Sequence, residues 1–374
     1  MLTDRSRRRD FPGLERMTYL NTAAEGIPSP AFGPALDRYA RDKLKGMAGR
    51  DAHFQEWSDC RGLAGGMIGL SADEVALCSC SSEAYNILAG ALALGPRDEV
   101  VVNDLDFPAG VTPWLGAPCK VRLWKARHGR LEMDDLQKLL TARTRLVQTS
   151  LVSFVNGHRL EWPAFHDVVR RHAAQAIVSV DVTQAVGRVE FDCTDADCII
   201  SSTHKWLLGP HGGCLVGIPR RQSTRLTSRA GGWLHLSNAF SADRFVRADR
   251  KPGAASFSVG MPNFPAVYAL AAALRYIDGV GVAKIARHAD PLVRQVHEGL
   301  HGLGITPMCP HEPGGSGIVA FVHPDDAAIH AALTRARIHV MHNAGRLRVA
   351  VHGYNTGTDV ERFLRVLHRI LRSR

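Results

Sequence analysis

The 374-residue chain has no long apolar run, no C-x-x-C pair and no low-complexity stretch. No apolar segment approaches the roughly 18 residues that a membrane-spanning helix needs, and the charged N-terminus is not followed by the apolar region of a signal peptide. Its eight cysteines are scattered, so neither a disulfide framework nor a zinc site is expected. We therefore expect a soluble, cytoplasmic protein with free thiols, no metal and no membrane partner.

Aromatic residues are also scarce, at 7% of the chain, although the formal net charge is +10. The basic clusters at 4–10 and 368–374 are not interleaved with aromatic residues, and no zinc-finger or RNA-binding spacing occurs. Nucleic acid is therefore not an expected partner, and the basic residues are interpreted as a solvated surface.

Short apolar runs alternate with helical patterns over the first two thirds of the chain. The helical patterns cover 83–94 and 162–174. The runs that predict strands are 99–104, 120–125, 145–153, 176–181 and 197–202. This alternation predicts an α/β fold with a mostly parallel sheet between helices.

The pattern changes after residue 263. A long helical region at 264–303 is followed by short strands and helices that are typical of an α+β unit. We predict a large domain over 21–263 and a small α+β domain over 264–374, which residues 1–20 join.

Polar side chains follow two of the predicted strands at their carboxyl ends, where open α/β sheets bind ligands. Asp181 and Gln184 end one strand, and Ser202, His204 and Lys205 end the next. The lysine precedes an apolar Trp-Leu-Leu, so its side chain either snorkels to the surface or forms the wall of a site.

Two further features, an aromatic ring and a pair of hydroxyls, complete a cofactor site. Phe107 follows the predicted strand at 99–104. Ser81 and Ser82 open a helix, where hydroxyls and free N–H groups bind phosphate or serve only as a helix cap. A lysine that forms a Schiff base, a carboxylate that keeps a pyridine nitrogen protonated, an aromatic face and a phosphate site are what pyridoxal phosphate requires. A purely structural pair of Asp181 and Lys205 is the alternative.

The ordered motifs resemble the class V aminotransferase family of fold-type I pyridoxal-phosphate enzymes, which includes cysteine desulfurases, kynureninases and isopenicillin N epimerase. The resemblance covers nearly the whole chain and implies a large domain that binds the cofactor and a small C-terminal domain. The matching segments are YLNTAAEGIPSP, CSSEAYN, SVDVTQAVG, STHK, FSVGMPNF and LRVAVHGYNT.

The resemblance implies a role for each matching residue. Lys205 would form the internal aldimine and move the Cα proton, Asp181 would pair with the pyridinium nitrogen, and Gln184 would hydrogen-bond the phenolic oxygen. The residues that would hold the phosphate are Ser81, Ser82, Ser202 and His204.

The substrate end of the site follows from the same resemblance. Arg348 would bind the α-carboxylate, a task that suits a bidentate guanidinium, and a surface ion pair is the alternative. Ala24, through its backbone, and Asn156, through its side chain, are further candidates for substrate binding.

Some residues depart from the desulfurase pattern. Phe107, followed by proline, stands where desulfurases stack a histidine on the cofactor, and this resembles kynureninase. A Gly-Trp segment makes Trp233 a candidate cofactor-side residue, again as in kynureninase. Met261 replaces a threonine that in relatives reaches the phosphate of the neighbouring subunit, although the resemblance still implies a homodimer.

The reaction is predicted from what the pocket segments contain. Residues 337–348, where a desulfurase carries its nucleophile, include no cysteine, and Cys309 lies too far upstream. We predict an enzyme that acts on an α-amino acid or a small amino-acid conjugate, with transamination first and a persulfide-forming cysteine desulfurase excluded. The alternatives are a β-eliminating C–S or kynureninase-like lyase, an amino-acid epimerase and a non-catalytic protein that binds pyridoxal phosphate.

Overall fold

The computed structural model describes residues 1–372, which form twelve strands and eleven α-helices. The strands are β1 (Thr18–Tyr19), β2 (Val75–Cys78), β3 (Glu99–Asn103), β4 (Lys120–Trp124), β5 (Thr144–Ser150), β6 (Ile177–Asp181), β7 (Cys198–Ser202), β8 (Cys214–Gly217), β9 (Ile318–Val322), β10 (Ile338–His339), β11 (Met341–Asn343) and β12 (Arg346–Ala350). The helices are α1 (Asp4–Asp10), α2 (Phe32–Lys43), α3 (Arg50–Ile68), α4 (Ser81–Leu92), α5 (Pro108–Leu115), α6 (Met133–Leu139), α7 (Trp162–His172), α8 (Phe264–Val280), α9 (Val282–Gly302), α10 (Asp326–Arg335) and α11 (Gly357–Arg372).

Seven strands form one large sheet in the order β2-β8-β7-β6-β5-β3-β4. The central neighbours pair in parallel, and β8 alone runs against both strands beside it. The predicted α/β fold with a mostly parallel sheet is therefore confirmed.

The large sheet is buried on both faces, because successive side chains of a strand point to opposite sides. In β3, Val101 packs in a cluster that includes residues of α3, α7 and α8. Val100 and Val102 pack in a second cluster with residues of α4 and α5. An unbroken run of valines is what a parallel strand covered by helices on both sides requires.

The five predicted strands are present as β3 to β7, and the largest difference lies at the end of β5. The sequence pattern predicts a strand to residue 153, but β5 ends at Ser150. Beyond it the chain turns back on itself, with Leu160 N–H donating to the Leu151 carbonyl at 2.9 Å. The Leu151 N–H still donates to the Asp181 carbonyl of β6 at 2.9 Å, so the turn begins where β5 and β6 both end.

A second sheet follows the order β11-β12-β9 and is antiparallel throughout. Residues of α9, α10 and α11 bury one core with it. The N-terminal segment joins this unit, because β1 pairs in parallel with β10 and Arg7 forms an ion pair with Asp359 of α11 at 3.2 Å.

The long helical region predicted at 264–303 is two helices. Gly281, with a φ of +88°, separates α8 from α9, and the two helices meet at a bend of 73°. Val267 and Leu270 of α8 pack in the core beneath the large sheet, whereas α9 packs on the small one. The domain division at residue 264 stays a prediction.

Among residues 1–372, no single helix is long and apolar enough to cross a bilayer. Only α8 and α9 taken together across their bend meet that criterion, by length and composition alone.

Candidate active site

One cavity of about 400 Å³ lies at the carboxyl ends of the central strands. The N-terminus of α4, the loops after β3, β5, β6 and β7, and the hairpin of β11 and β12 surround it. Of the site residues that the sequence predicts, it brings together Ala24, Ser81, Phe107, Asp181, Gln184, Ser202, His204, Lys205 and Arg348.

Lys205 lies at the centre of this cavity wall, three residues after the end of β7. Its Nζ is 5.4 Å from the ring centroid of Phe107. Burial lowers the pKa of Lys205 to about 8, with Asp181 opposing and Arg348 reinforcing the effect. About a tenth of the amines are therefore neutral at pH 7, far more than for an ordinary lysine, and the neutral form is what a nucleophile or base requires.

Gly26 holds the backbone that carries the lysine. Its N–H donates to the His204 carbonyl at 2.8 Å. A Cβ on Gly26 would lie 2.0 Å from the carbonyl oxygen of Lys205, so no other residue fits here without moving one of the two segments. The N-terminal segment is thereby fixed against the lysine.

Asp181, the last residue of β6, has both carboxylate oxygens hydrogen-bonded by the protein. The Thr183 N–H donates to Oδ1 at 2.8 Å, and the Tyr85 hydroxyl donates to Oδ2 at 2.9 Å. Burial, together with Asp181, raises the pKa of Tyr85 well above its usual range, so this hydroxyl stays a donor. Gln148 in turn donates to the tyrosine hydroxyl at 3.2 Å.

Gln184 lies one turn beyond Asp181 and is buried. Its Oε1 accepts from the indole N–H of Trp206 at 2.7 Å, and its Nε2 donates to the Ala23 carbonyl at 3.1 Å. Because an amide nitrogen carries two hydrogens, one donor remains for a ligand in the cavity.

The helix N-terminus of α4 has free donors. Its N-cap residue, Cys80, makes no side-chain capping hydrogen bond. The Ser202 hydroxyl donates to the Ser81 hydroxyl at 3.2 Å beside these free N–H groups. Such an arrangement binds phosphate, because the N–H groups and the helix dipole both favour an anion.

His204 lies beside this anion site and stacks on His211 with ring centroids 4.7 Å apart. Burial lowers the pKa of His204 to about 4, and the positive charge of Lys205 adds to the effect. It therefore offers a neutral imidazole and not a cation.

Phe107 presents a ring that is 47% exposed at the cavity. The ring of Phe154 meets it edge-on, with centroids 5.1 Å apart. An open aromatic face opposite the lysine is what a planar cofactor ring stacks on.

Arg348 lies on β12 at the far side of the cavity and is only 3% exposed. One guanidinium nitrogen donates to the Phe154 carbonyl at 2.6 Å, while Nε has no partner among residues 1–372. Burial lowers its pKa to about 10, and the charge of Arg346 adds to this effect. A desolvated cation without a counter-ion is a strong binding site for a carboxylate.

Three predicted site residues do not line the cavity. Asn156 donates to the Gly129 carbonyl at 2.8 Å and accepts from the His158 N–H at 3.0 Å, so its side chain holds a turn together. Trp233 packs on Phe240, with centroids 5.8 Å apart. Ser82 lies in the first turn of α4, where only its neighbour Ser81 reaches the cavity.

The sequence interpretation also missed residues that the structure places in or behind the cavity. Tyr85 and Thr183 hold Asp181, and Arg346 and Cys80 line the cavity. The sequence does allow Arg346 to be predicted as a cavity residue, because residues two apart on a strand lie on the same face and Arg348 is a candidate site residue.

Asp106, on the loop after β3, gives a prediction about pH. Burial raises its pKa from 3.8 to about 7, and the nearby negative charge of Asp181 adds to the effect. The unfolded chain releases this proton near its ordinary value, so the free energy of unfolding should fall as the pH rises from about 4 to about 7, by up to about 4 kcal/mol. We expect Asp106→Asn to remove that pH dependence in urea unfolding of the cofactor-free protein. Asp104→Asn, on an exposed residue of the same loop, is the control, and equal pH slopes for wild type and Asp106→Asn would contradict the assignment.

The cavity fits pyridoxal phosphate. The free N–H groups of α4 and the hydroxyls of Ser81 and Ser202 would hold the phosphate, and Asp181 would face the ring nitrogen. The open face of Phe107 and the half-buried amine of Lys205 complete the requirements of this cofactor.

Comparison with known proteins gives consistent full-length matches. A probable cysteine desulfurase of Methanothermobacter thermautotrophicus is 26% identical, over 95% of this chain and 94% of its own length. The apo structure of the cysteine desulfurase of Thermococcus onnurineus superimposes with a TM-score of 0.90 at 22% identity, over 100% of this chain and 99% of that one. The cystine C–S lyase C-DES, in complex with its product cysteine persulfide, gives 0.88 at 21% identity, over 96% and 99%.

These matches correct the predicted reaction. The prediction that placed transamination first and excluded a persulfide-forming cysteine desulfurase is wrong, because relatives along the whole chain are named cysteine desulfurases. The prediction assumed that an acceptor thiol must lie within 337–348. The structure shows an exposed thiol elsewhere in the cavity, that of Cys80.

The family model for aminotransferase class-V matches residues 49–363, which is most of the chain. The predicted pyridoxal phosphate cofactor and the predicted class of enzyme, a transferase or lyase that depends on this cofactor, are thereby confirmed. The protein has the fold-type I architecture, and the chain belongs to the aminotransferase class-V family.

Proposed function

We propose that this protein cleaves the C–S bond of cysteine, or of a cysteine derivative, and forms a persulfide. The observation that carries the proposal is that one cavity combines Lys205, Arg348 and the exposed thiol of Cys80. The desulfurase names of its full-length relatives support the same reaction class.

The residues that line the cavity have different roles in the proposed reaction. When bound, pyridoxal phosphate supplies the electron sink for bond cleavage at the amino acid. Arg348 holds the α-carboxylate, and the neutral amine of Lys205 takes a proton from Cα and returns it later. Asp181 keeps the ring nitrogen of the cofactor protonated, because an adjacent anion favours the charged form.

The sulfur transfer balances with a thiol as acceptor. With cysteine, an acceptor thiolate attacks the substrate sulfur, the S–S bond forms as the C–S bond breaks, and the electron pair passes to Cβ. Cβ then takes a proton, so cysteine and a thiol give alanine and a persulfide. With a disulfide such as cystine no acceptor is required: as Cα loses its proton, the Cβ–S bond breaks and its electron pair leaves with the sulfur as a persulfide, and water converts the remaining three-carbon fragment to pyruvate and ammonia. Neither route needs an external oxidant or reductant.

Cys80 is the acceptor that the structure offers. It is exposed and lines the cavity, whereas Cys119 is half-buried outside it and the other six cysteines are buried. A small thiol from solution is the other possible acceptor, since the cavity is open to solvent.

The test is product analysis of the cofactor-loaded enzyme with L-cysteine and L-cystine. We expect sulfane sulfur, detected by cyanolysis, in step with alanine or pyruvate. We also expect Cys80→Ser to lose the persulfide on the protein when no small thiol is added, and the matched Cys119→Ser to keep it. Pyridoxamine phosphate and a 2-oxo acid without sulfane sulfur would contradict the proposal.

The assembly and the location are part of the proposal. We propose a homodimer, because Phe240, Phe245 and Val246 are 84%, 88% and 88% exposed on one segment, and large exposed apolar residues are typical of an interface. Light scattering measures this directly.

We propose a reducing, cytoplasmic setting, because all eight cysteines are free thiols.

A further inference from the structure

Arg346 is a second buried cation that lines the cavity, and it has no role in the proposed reaction. It is only 8% exposed and lines the same cavity as Arg348. Its guanidinium carbon lies 5.5 Å from the ring centroid of Phe154. The aromatic rings of Phe154 and Phe107 thus separate it from the amine of Lys205.

No anion of residues 1–372 neutralises Arg346. It forms no ion pair, and its Nε has no hydrogen-bond partner. Burial alone lowers its pKa, with no carboxylate acting to raise it. A desolvated guanidinium beside a second one is costly, because each loses hydration and the two charges repel. Such a pair is best explained by anions that bind during function.

The register of the hairpin of β11 and β12 places the side chain of Arg346 on the face that lines the cavity. Arg346 pairs with Asn343, and Arg348 pairs with Met341, so these four side chains share one face. All four line the cavity. His342, on the opposite face, bonds Asp326 at 2.9 Å.

We propose that Arg346 binds a second anionic group of the substrate, at the end away from the α-carboxylate that Arg348 holds. The proposal rests on the proposed C–S cleavage and names its substrate class. The substrate is a cysteine derivative whose sulfur bears a group with a carboxylate or sulfonate, such as a disulfide or an S-conjugate. Asn343, directly opposite Arg346, is placed to donate to the same group.

Two substrates that differ in one charge test the proposal. S-sulfocysteine and S-methylthiocysteine both carry a second sulfur bonded to the cysteine sulfur, so C–S cleavage releases sulfane sulfur from each, but only the first has a distal anion. We expect Arg346→Gln to raise the KM for S-sulfocysteine about 10- to 100-fold more than the KM for S-methylthiocysteine, the range for losing a hydrogen bond to a charged group. Arg346→Lys should recover part of this discrimination, and Arg335→Gln, an exposed arginine at the end of α10, is the charge-matched control.

Equal losses for both substrates would overturn the proposal, because both arginines would then hold one carboxylate. Unchanged KM values for both would overturn it as well. Either result leaves C–S cleavage itself intact, so the two proposals fail separately.

A binding measurement covers the case in which no sulfur compound reacts. Calorimetry on the cofactor-loaded protein would compare glutarate, a dicarboxylate, with butyrate. We expect glutarate to bind at least about tenfold more tightly, and Arg346→Gln to abolish that preference. A wild-type protein without the preference, or a variant that retains it, would overturn the second anion site even if the proposed reaction had already failed.

Discussion

Replacing Lys205 with alanine is expected to lower turnover by about a thousandfold or more. In the proposed reaction the side chain is both the nucleophile that would carry the cofactor and the base that would move the Cα proton, and proton transfer alone contributes about 10²- to 10⁴-fold. Turnover should be measured in parallel with borohydride trapping, which links the cofactor covalently to wild type but not to Lys205→Ala. Lys45→Ala, on an exposed lysine paired with Asp42, is the control.

The lowered pKa of Lys205 adds a test that does not depend on turnover. An amine with a pKa of about 8 becomes neutral as the pH rises through that value. The rate at which the cofactor-free protein captures pyridoxal phosphate should therefore increase between about pH 6 and pH 9, with its midpoint near pH 8, and level off above about pH 9. Normal turnover of Lys205→Ala, or borohydride labelling at another lysine, would remove Lys205 from its role.

Removing Arg348 should be the second largest effect. Arg348→Ala is expected to weaken binding of an amino-acid substrate by about 2–5 kcal/mol, the range for truncating one partner of a buried charge pair. The fold should tolerate the change, because the side chain donates only to the Phe154 carbonyl and its loss relieves the repulsion from Arg346.

The measurement is the KM for L-cysteine together with the affinity for the cofactor. Cofactor affinity should change little, since Arg348 belongs to β12 and not to the helix N-terminus that would hold the phosphate. Arg348→Lys keeps the charge but not the planar fork, so it should recover only part of the loss. Unaltered substrate affinity in Arg348→Ala would show that the carboxylate binds elsewhere.

The cofactor end of the site could be predicted from sequence because it is local to strand ends. Asp181 ends β6, Ser202 ends β7 and Lys205 follows three residues later, so the parallel pairing of these two strands brings the three residues together. The strand pattern predicts which residues lie at the end of a strand, and in an open sheet the carboxyl ends of neighbouring parallel strands form one binding site.

The remaining site residues depend on side-chain partners that a pattern does not reveal. Asn156 is used within its own turn, and Trp233 belongs to a segment packed on Phe240. Cys80 lines the cavity as the N-cap residue of α4, whereas residues 337–348, where the family resemblance predicts the nucleophile, lie in the segment of β10, β11 and β12. The break between α8 and α9 at Gly281 is likewise not predicted from the sequence, because the apolar pattern of the two helices continues through it.

The contacts of the N-terminal segment make it a mechanical link between the two ends of the site. Leu20 accepts from the Ala350 N–H at 2.8 Å, on the strand that carries Arg348. Six residues later Gly26 is fixed against the backbone that carries Lys205, with no room for a side chain between them. A rotation of the sheet of β9, β11 and β12 would therefore displace the backbone of Lys205 through the seven connecting residues 20–26. The positions of Arg348 and of the Lys205 amine therefore cannot be changed independently, because a displacement at one end is transmitted to the other through the covalent chain.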